Sequence, residues 1–125
     1  MSLIGTYKGN QGFLTLDITE ADVSTGKLAG TLTVARPGPG GPFEAQVEGH
    51  YHLFGNTGRN TSLVVTAWAD DIEGQSTYFA WAGFSKGPDF EELAVRGGES
   101  VVRSANGGDS QAVESAVTSF IRQQA

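Results

Sequence analysis

The chain is 125 residues long, enough for one domain with a real core, and carries a formal charge of −6 with a pI near 4.7. It has no cysteine, which excludes disulfides and thiolate metal sites, and its eight lysines and arginines are scattered singly, which argues against a groove for nucleic acid or anionic lipid. Eighteen glycines beside four prolines, with two Trp, three Tyr and seven Phe, fit a folded chain of many tight turns better than a disordered one.

The first residues, Met1-Ser-Leu-Ile-Gly-Thr-Tyr7, lack the basic-then-apolar plan of a secretory leader, and no apolar run approaches the roughly 18 residues of a membrane helix. A soluble, cytoplasmic protein is the expectation. Residues 4–8 predict a short strand, followed by the loop Gly9-Asn-Gln-Gly12. Residues 13–19 alternate, with Leu14, Leu16 and Ile18 on one face and Thr15, Asp17 and Thr19 on the other, the period of a half-buried strand. After a polar bend at 20–26, Leu28, Gly30, Leu32 and Val34 share a face opposite Ala29, Thr31 and Thr33, which completes a hairpin. Arg36-Pro-Gly-Pro-Gly-Gly-Pro42 combines missing donors with permissive glycines and predicts a loop.

Residues 43–54 give the cleanest alternation: Phe43, Ala45, Val47, Gly49, Tyr51 and Leu53 against Glu44, Gln46, Glu48, His50 and His52. A turn at 55–60 leads into two strands, 61–70 and 75–86, joined at 71–74 and carrying both tryptophans, Trp68 and Trp81. Further on, 90–96 predicts a strand ending at Gly97-Gly98 and 99–104 another. In 109–124 the period changes. Val113, Ala116, Val117, Phe120 and Ile121 fall on one helical stripe, with Asp109 or Ser110 as cap, so this segment is expected to be a C-terminal helix. Seven or eight short strands at turn-to-turn spacings of this kind predict an all-β fold. The expectation is an antiparallel up-and-down β-barrel of seven to eight strands, one domain over residues 1–125, with that helix added.

Chemistry-bearing motifs are few. His50 and His52 share one strand face, but a metal site needs a third ligand that no other histidine or cysteine supplies, and a solvated polar face is the plainer reading. No Gly-x-Ser-x-Gly turn marks a nucleophile, the doublets Asp70-Asp71 and Glu91-Glu92 suit solvated turns, and the paired glycines lack a phosphate-cradling context. No catalysis, cofactor or metal is expected. Aromatic placement is the best lead: Thr77, Phe79 and Trp81 share one side of their strand and Tyr78, Ala80, Ala82 and Phe84 the other. One ringed face would line the barrel and the other would pack outside it, in a subunit interface.

In this order the pieces resemble the avidin/streptavidin family over about the first two thirds of the chain. Gly5-Thr6-Tyr7 and Asn10-Gln11-Gly12 look like the family's opening Gly-x-Trp and first loop, and Gly26-Lys-Leu-Ala-Gly-Thr-Leu-Thr33 like its Gly-x-Leu-x-Gly-x-Tyr strand. Trp68 falls where the fifth strand of the family ends in a ligand-contacting Trp, and Phe79-Ala-Trp-Ala-Gly83 is similar to its Thr-x-Trp-x-Gly strand. The resemblance implies a barrel that associates as a dimer or tetramer, with Tyr7, Asn10, Leu32, Trp68, Thr77, Phe79 and Trp81 around a ligand cavity. It also departs where biotin would be held. Leu32 stands at the family's Tyr, Phe13 lies near its Ser, Phe79 replaces its Thr or Ser, and Ala116-Val-Thr-Ser-Phe120 offers no Asp. The cavity so implied is greasier than a biotin site and suits a small apolar or aromatic ligand. Two alternatives stand beside it: an inhibitor-type interaction barrel with a filled interior, and a lipocalin-like enzyme.

Overall fold

The computed structural model describes residues 2–35, 42–53, 61–72, 75–105 and 108–123. Eight strands follow one another: β1 (Gly5–Gly9), β2 (Leu14–Asp22), β3 (Lys27–Val34), β4 (Phe43–His52), β5 (Ser62–Ile72), β6 (Gln75–Lys86), β7 (Glu92–Ala105) and β8 (Gly108–Arg122). Each pairs antiparallel with the next, and β8 returns to β1 through Tyr7 opposite Arg122 and Lys8 opposite Ile121, so the sheet closes into a barrel. The alternation of the sequence becomes inside and outside. Leu14, Leu16, Ile18, Leu28, Leu32, Val34, Phe43, Ala45 and Val47 are buried within, while Glu44, Gln46, Glu48, His50 and His52 face out.

Two expectations are corrected here. Gly97-Gly98 does not end a strand: β7 runs unbroken from Glu92 to Ala105. A side chain at Gly97 would run into the Ala80 carbonyl, and one at Gly83 into the Ala94 carbonyl, so these glycines are where neighbouring strands approach and the sheet bends tightly enough to close. The C-terminal helix is the other. Residues 108–122 are β8, paired with β7 along its whole length. Of the stripe residues whose side chains are described, Phe120 is buried inward, while Val113 is 83% and Ile121 47% exposed on the outside. The open edges of β7 and β1 offered this segment a ladder on both sides, and that pairing outweighs a local helical pattern whose stripe had nothing to pack against.

The barrel end that carries the β2–β3, β4–β5 and β6–β7 connections is plugged. Leu3, Tyr7, Leu63, Phe90, Leu93 and Phe120 are all buried there. Phe90 holds a left-handed backbone (φ 56°), a strained conformation for a bulky residue, and lines with Leu3, Tyr51 and Leu53 a cleft of about 210 Å³. Arg122 fastens the plug. Its Nη1 donates to the Ser2 carbonyl at 2.7 Å and to Tyr7 Oη at 3.1 Å, and its Nη2 to the Ile4 carbonyl at 2.8 Å. Tyr7 Oη in turn donates to the Leu3 carbonyl at 2.7 Å.

Burial, partly offset by the neighbouring guanidinium, pushes the Tyr7 phenol up to about 12 from its ordinary 10. The unfolded chain therefore loses this proton first as pH rises. Stability that Tyr7 contributes is complete below pH 10 and is lost as pH climbs through 12, in all about 3 kcal/mol. Urea denaturation at pH 9 and pH 12 should show that loss, and a Tyr7→Phe protein should show markedly less of it. Equal alkaline losses in both proteins would contradict the assignment.

Candidate functional site

The opposite end is the mouth. On the inner rows of β7, Leu93 and Val95 are buried near the plug, whereas Glu99 and Val101, further along the same strand face, are only half-buried. The β1–β2, β3–β4, β5–β6 and β7–β8 connections lie at this end. Register sets what lies below it. One inner row reads Val65, Trp81 and Gly97 across β5 to β7; the next towards the mouth reads Ala67, Phe79 and Glu99; a third reads Ala69, Thr77 and Val101.

Trp81 lies in the innermost of these rows, nearest the plug. It is 3% exposed, tilted against Phe79 with ring centroids 5.2 Å apart and edge-on to Phe120 at 5.5 Å, geometries aromatic pairs prefer. Gly97, its cross-strand neighbour, adds no bulk beside it. Its indole Nε1 is buried and has no acceptor among the described residues. A buried donor without a partner costs about 1–3 kcal/mol, so it is a feature a bound acceptor would relieve.

Of the residues expected to line the cavity, Leu32, Thr77, Phe79 and Trp81 are all buried on the inner face. Tyr7 is buried too, but at the plugged end, with its hydroxyl committed to Leu3 and Arg122. Asn10 opens a 3-10 turn, Asn10–Gly12, that joins β1 to β2 at the mouth. Trp68 is a correction. It pairs with Tyr78 on the outer face, and the interior positions beside it in β5 are Ala67 and Ala69. The two indoles are on opposite sides of the sheet. Phe120 and Glu99 were not anticipated as interior residues: the first was assigned to a helix, and the second to a strand starting afresh after Gly98. Continuing the alternation Val95, Gly97, Glu99, Val101 through the glycines would have found Glu99.

His50 and His52 are exposed on the outer face, His50 bordering an open groove of about 980 Å³ that also passes Lys27, Glu48 and Thr66. Among the described residues no three His, Asp or Glu gather as a metal site.

No family model matches the sequence, and no curated protein does. Solved structures do match. A biotin binding protein from chicken superposes with a TM-score of 0.61 at 15% identity, covering 98% of this chain and 97% of that one. Rhizavidin in complex with biotin gives 0.60 at 16%, covering 99% and 94%, and a protein described as AVR2 gives 0.59 at 15%, covering 99% and 97%. Near-complete coverage at such low identity is a likeness of architecture, carried by strand order and closure rather than by shared side chains: in fold, this chain is an avidin-like eight-stranded barrel.

Proposed function

We propose that the barrel binds, without catalysis, a small and mostly apolar or aromatic molecule that enters at the mouth and stacks on Trp81 and Phe79. The observation that carries this reading is the indole N–H of a buried tryptophan on the interior wall, which has no acceptor among the described residues. Fold likeness supports it coarsely, since two of the matching proteins are named for biotin. Biotin itself fits this interior poorly. Leu32 and Phe79 put hydrocarbon where a ureido ring and a thioether would need polar neighbours, and each unmet polar group costs roughly 1–3 kcal/mol.

Trp68→Phe leaves Trp81 as the one tryptophan, and its emission then reports the interior alone. Titrated with 4-hydroxyphenethyl alcohol and with biotin, this variant should be quenched or blue-shifted by the alcohol at concentrations at least about tenfold lower than by biotin. Silence towards every small aromatic molecule tried would remove the pocket reading.

The outer face supports self-association. Val64 (43% exposed), Tyr78 (49%), Phe84 (49%), Val102 (47%) and Val113 (83%) lie outside on β5 to β8, with Ala80, Ala82 and Gly98 between them. Bulky apolar groups on a bed of small residues suit the same face of a second copy. Light scattering should give an oligomer for the parent protein and a monomer for Tyr78→Arg/Val113→Glu. A parent protein that is monomeric at high micromolar concentration would refute this.

A further inference from the structure

The segment Ser2–Ile4 precedes β1 and supplies the stopper of the plugged end, where Leu3 is 2% exposed. Side chains take its three successive carbonyls. Arg122 Nη1 donates to that of Ser2 and Nη2 to that of Ile4, while Tyr7 Oη donates to that of Leu3 between them. Gly5 leaves room for this, since a Cβ there would come within 3.1 Å of the guanidinium. A charged fork on backbone carbonyls, with one apolar side chain buried beside them, is how a protein holds a short peptide.

The chain's own residues do not fill this place. A cleft of about 210 Å³ borders Ser2 and Leu3 and is walled by Ala21, Val23, Tyr51, Leu53 and Phe90. Ser2 is a small residue at its edge, and its hydroxyl accepts from the Ile4 N–H at 3.1 Å. Phe90, on the wall, keeps the left-handed backbone of a kind that persists at binding clamps. We infer that the plugged end is a docking site for a short segment of a partner protein, two consecutive apolar residues of which the second is Leu, and that Ser2–Ile4 occupies it in cis. The first apolar residue stands where Ser2 does and fills the cleft, the Leu takes the socket of Leu3, and Arg122 and Tyr7 bind the carbonyls. A tethered occupant competes at an effective concentration on the order of millimolar, so the partner wins through the side chain that Ser2 lacks. This site is separate from the mouth and stands or falls without it.

The test is fluorescence anisotropy of acetyl-Leu-Leu-Ile-Gly, labelled with fluorescein at its carboxyl end, against the full-length protein. Leu3→Ala weakens the cis segment and should bind the peptide at least about tenfold more tightly than the parent does. Acetyl-Ser-Leu-Ile-Gly should bind about tenfold less well than the Leu-Leu peptide, and acetyl-Leu-Asp-Ile-Gly not at all. Arg122→Lys keeps the charge but not the fork, and should weaken binding to the Leu3→Ala protein about tenfold. Leu3→Val, a smaller truncation, takes the place of Leu3→Ala if that protein does not fold, with the same order of affinities. Equal binding to parent and Leu3→Ala, indifference to Arg122→Lys, or no binding at all overturns the proposal. A complex of Leu3→Ala with added parent protein that unlabelled peptide dissociates would assign the socket to a second copy, and overturns it too.

Discussion

Trp81→Ala is expected to cost about 3–5 kcal/mol, because it removes the largest side chain of the innermost row. Phe79 and Phe120, at 5.2 and 5.5 Å, would be left facing a cavity that strands fixed in a closed barrel cannot collapse to fill. The more telling substitution is Trp81→Phe. It keeps an aromatic ring between those neighbours but deletes an N–H that has no acceptor among the described residues. The volume lost is destabilising and the orphan donor removed is stabilising, so the ligand-free protein should change by no more than about 1 kcal/mol. Ligand affinity should nevertheless fall about tenfold, since the acceptor on the ligand loses its partner. Chemical denaturation with and without 4-hydroxyphenethyl alcohol separates the two effects. A Trp81→Phe protein that loses stability as Trp81→Ala does, yet binds unchanged, would mean that the indole N–H is not a ligand contact.

Arg122→Ala is expected to lower stability by about 2–3 kcal/mol and the thermal midpoint by about 10 °C. A single guanidinium holds the carbonyls of Ser2 and Ile4 and the hydroxyl of Tyr7, tying the last residue of β8 to the chain that precedes and forms β1. Its ring-facing contact, 5.5 Å from the Tyr7 centroid, adds to this. The residue is half-buried, so its bonds are only partly screened, and the magnitude is set below that of three fully buried charged bonds. Arg122→Lys keeps the charge but not the fork that reaches two carbonyls and a hydroxyl, and should recover less than half of the loss. Removing both Arg122 and the Tyr7 hydroxyl should cost less than the two changes added together, since they share one bond. A thermal midpoint for Arg122→Ala within 2 °C of the parent would show that closure of the barrel does not depend on this fastening.

Most of the architecture was legible in the chain because its signal is local. Alternation in Leu14–Ile18, Leu28–Val34 and Phe43–Leu53 fixes which side chains turn inward whatever the rest does, and the turn residues between those runs make consecutive pairing the simplest topology. From strand order came the resemblance to an avidin-like barrel, and the fold agrees. Site residues were legible only where they lay on such a run: Thr77, Phe79 and Trp81 share a face by parity alone.

What required tertiary structure were the matters decided by register and by partners distant in sequence. Ile72 pairs with Gln75 across the hairpin turn, and carried back without interruption that pairing would set Trp68 beside Phe79, inside. A bulge between Ala69 and Ile72 slips the register by one residue, so Trp68 meets Tyr78 instead and turns outward. One extra residue thus separates the two indoles. Likewise 108–122 carries a helical stripe, yet becomes a strand because β7 and β1 present it with two unpaired edges from elsewhere in the chain. Pattern along the sequence determined which residues could line a barrel; hydrogen-bond registration between strands decided which of them do.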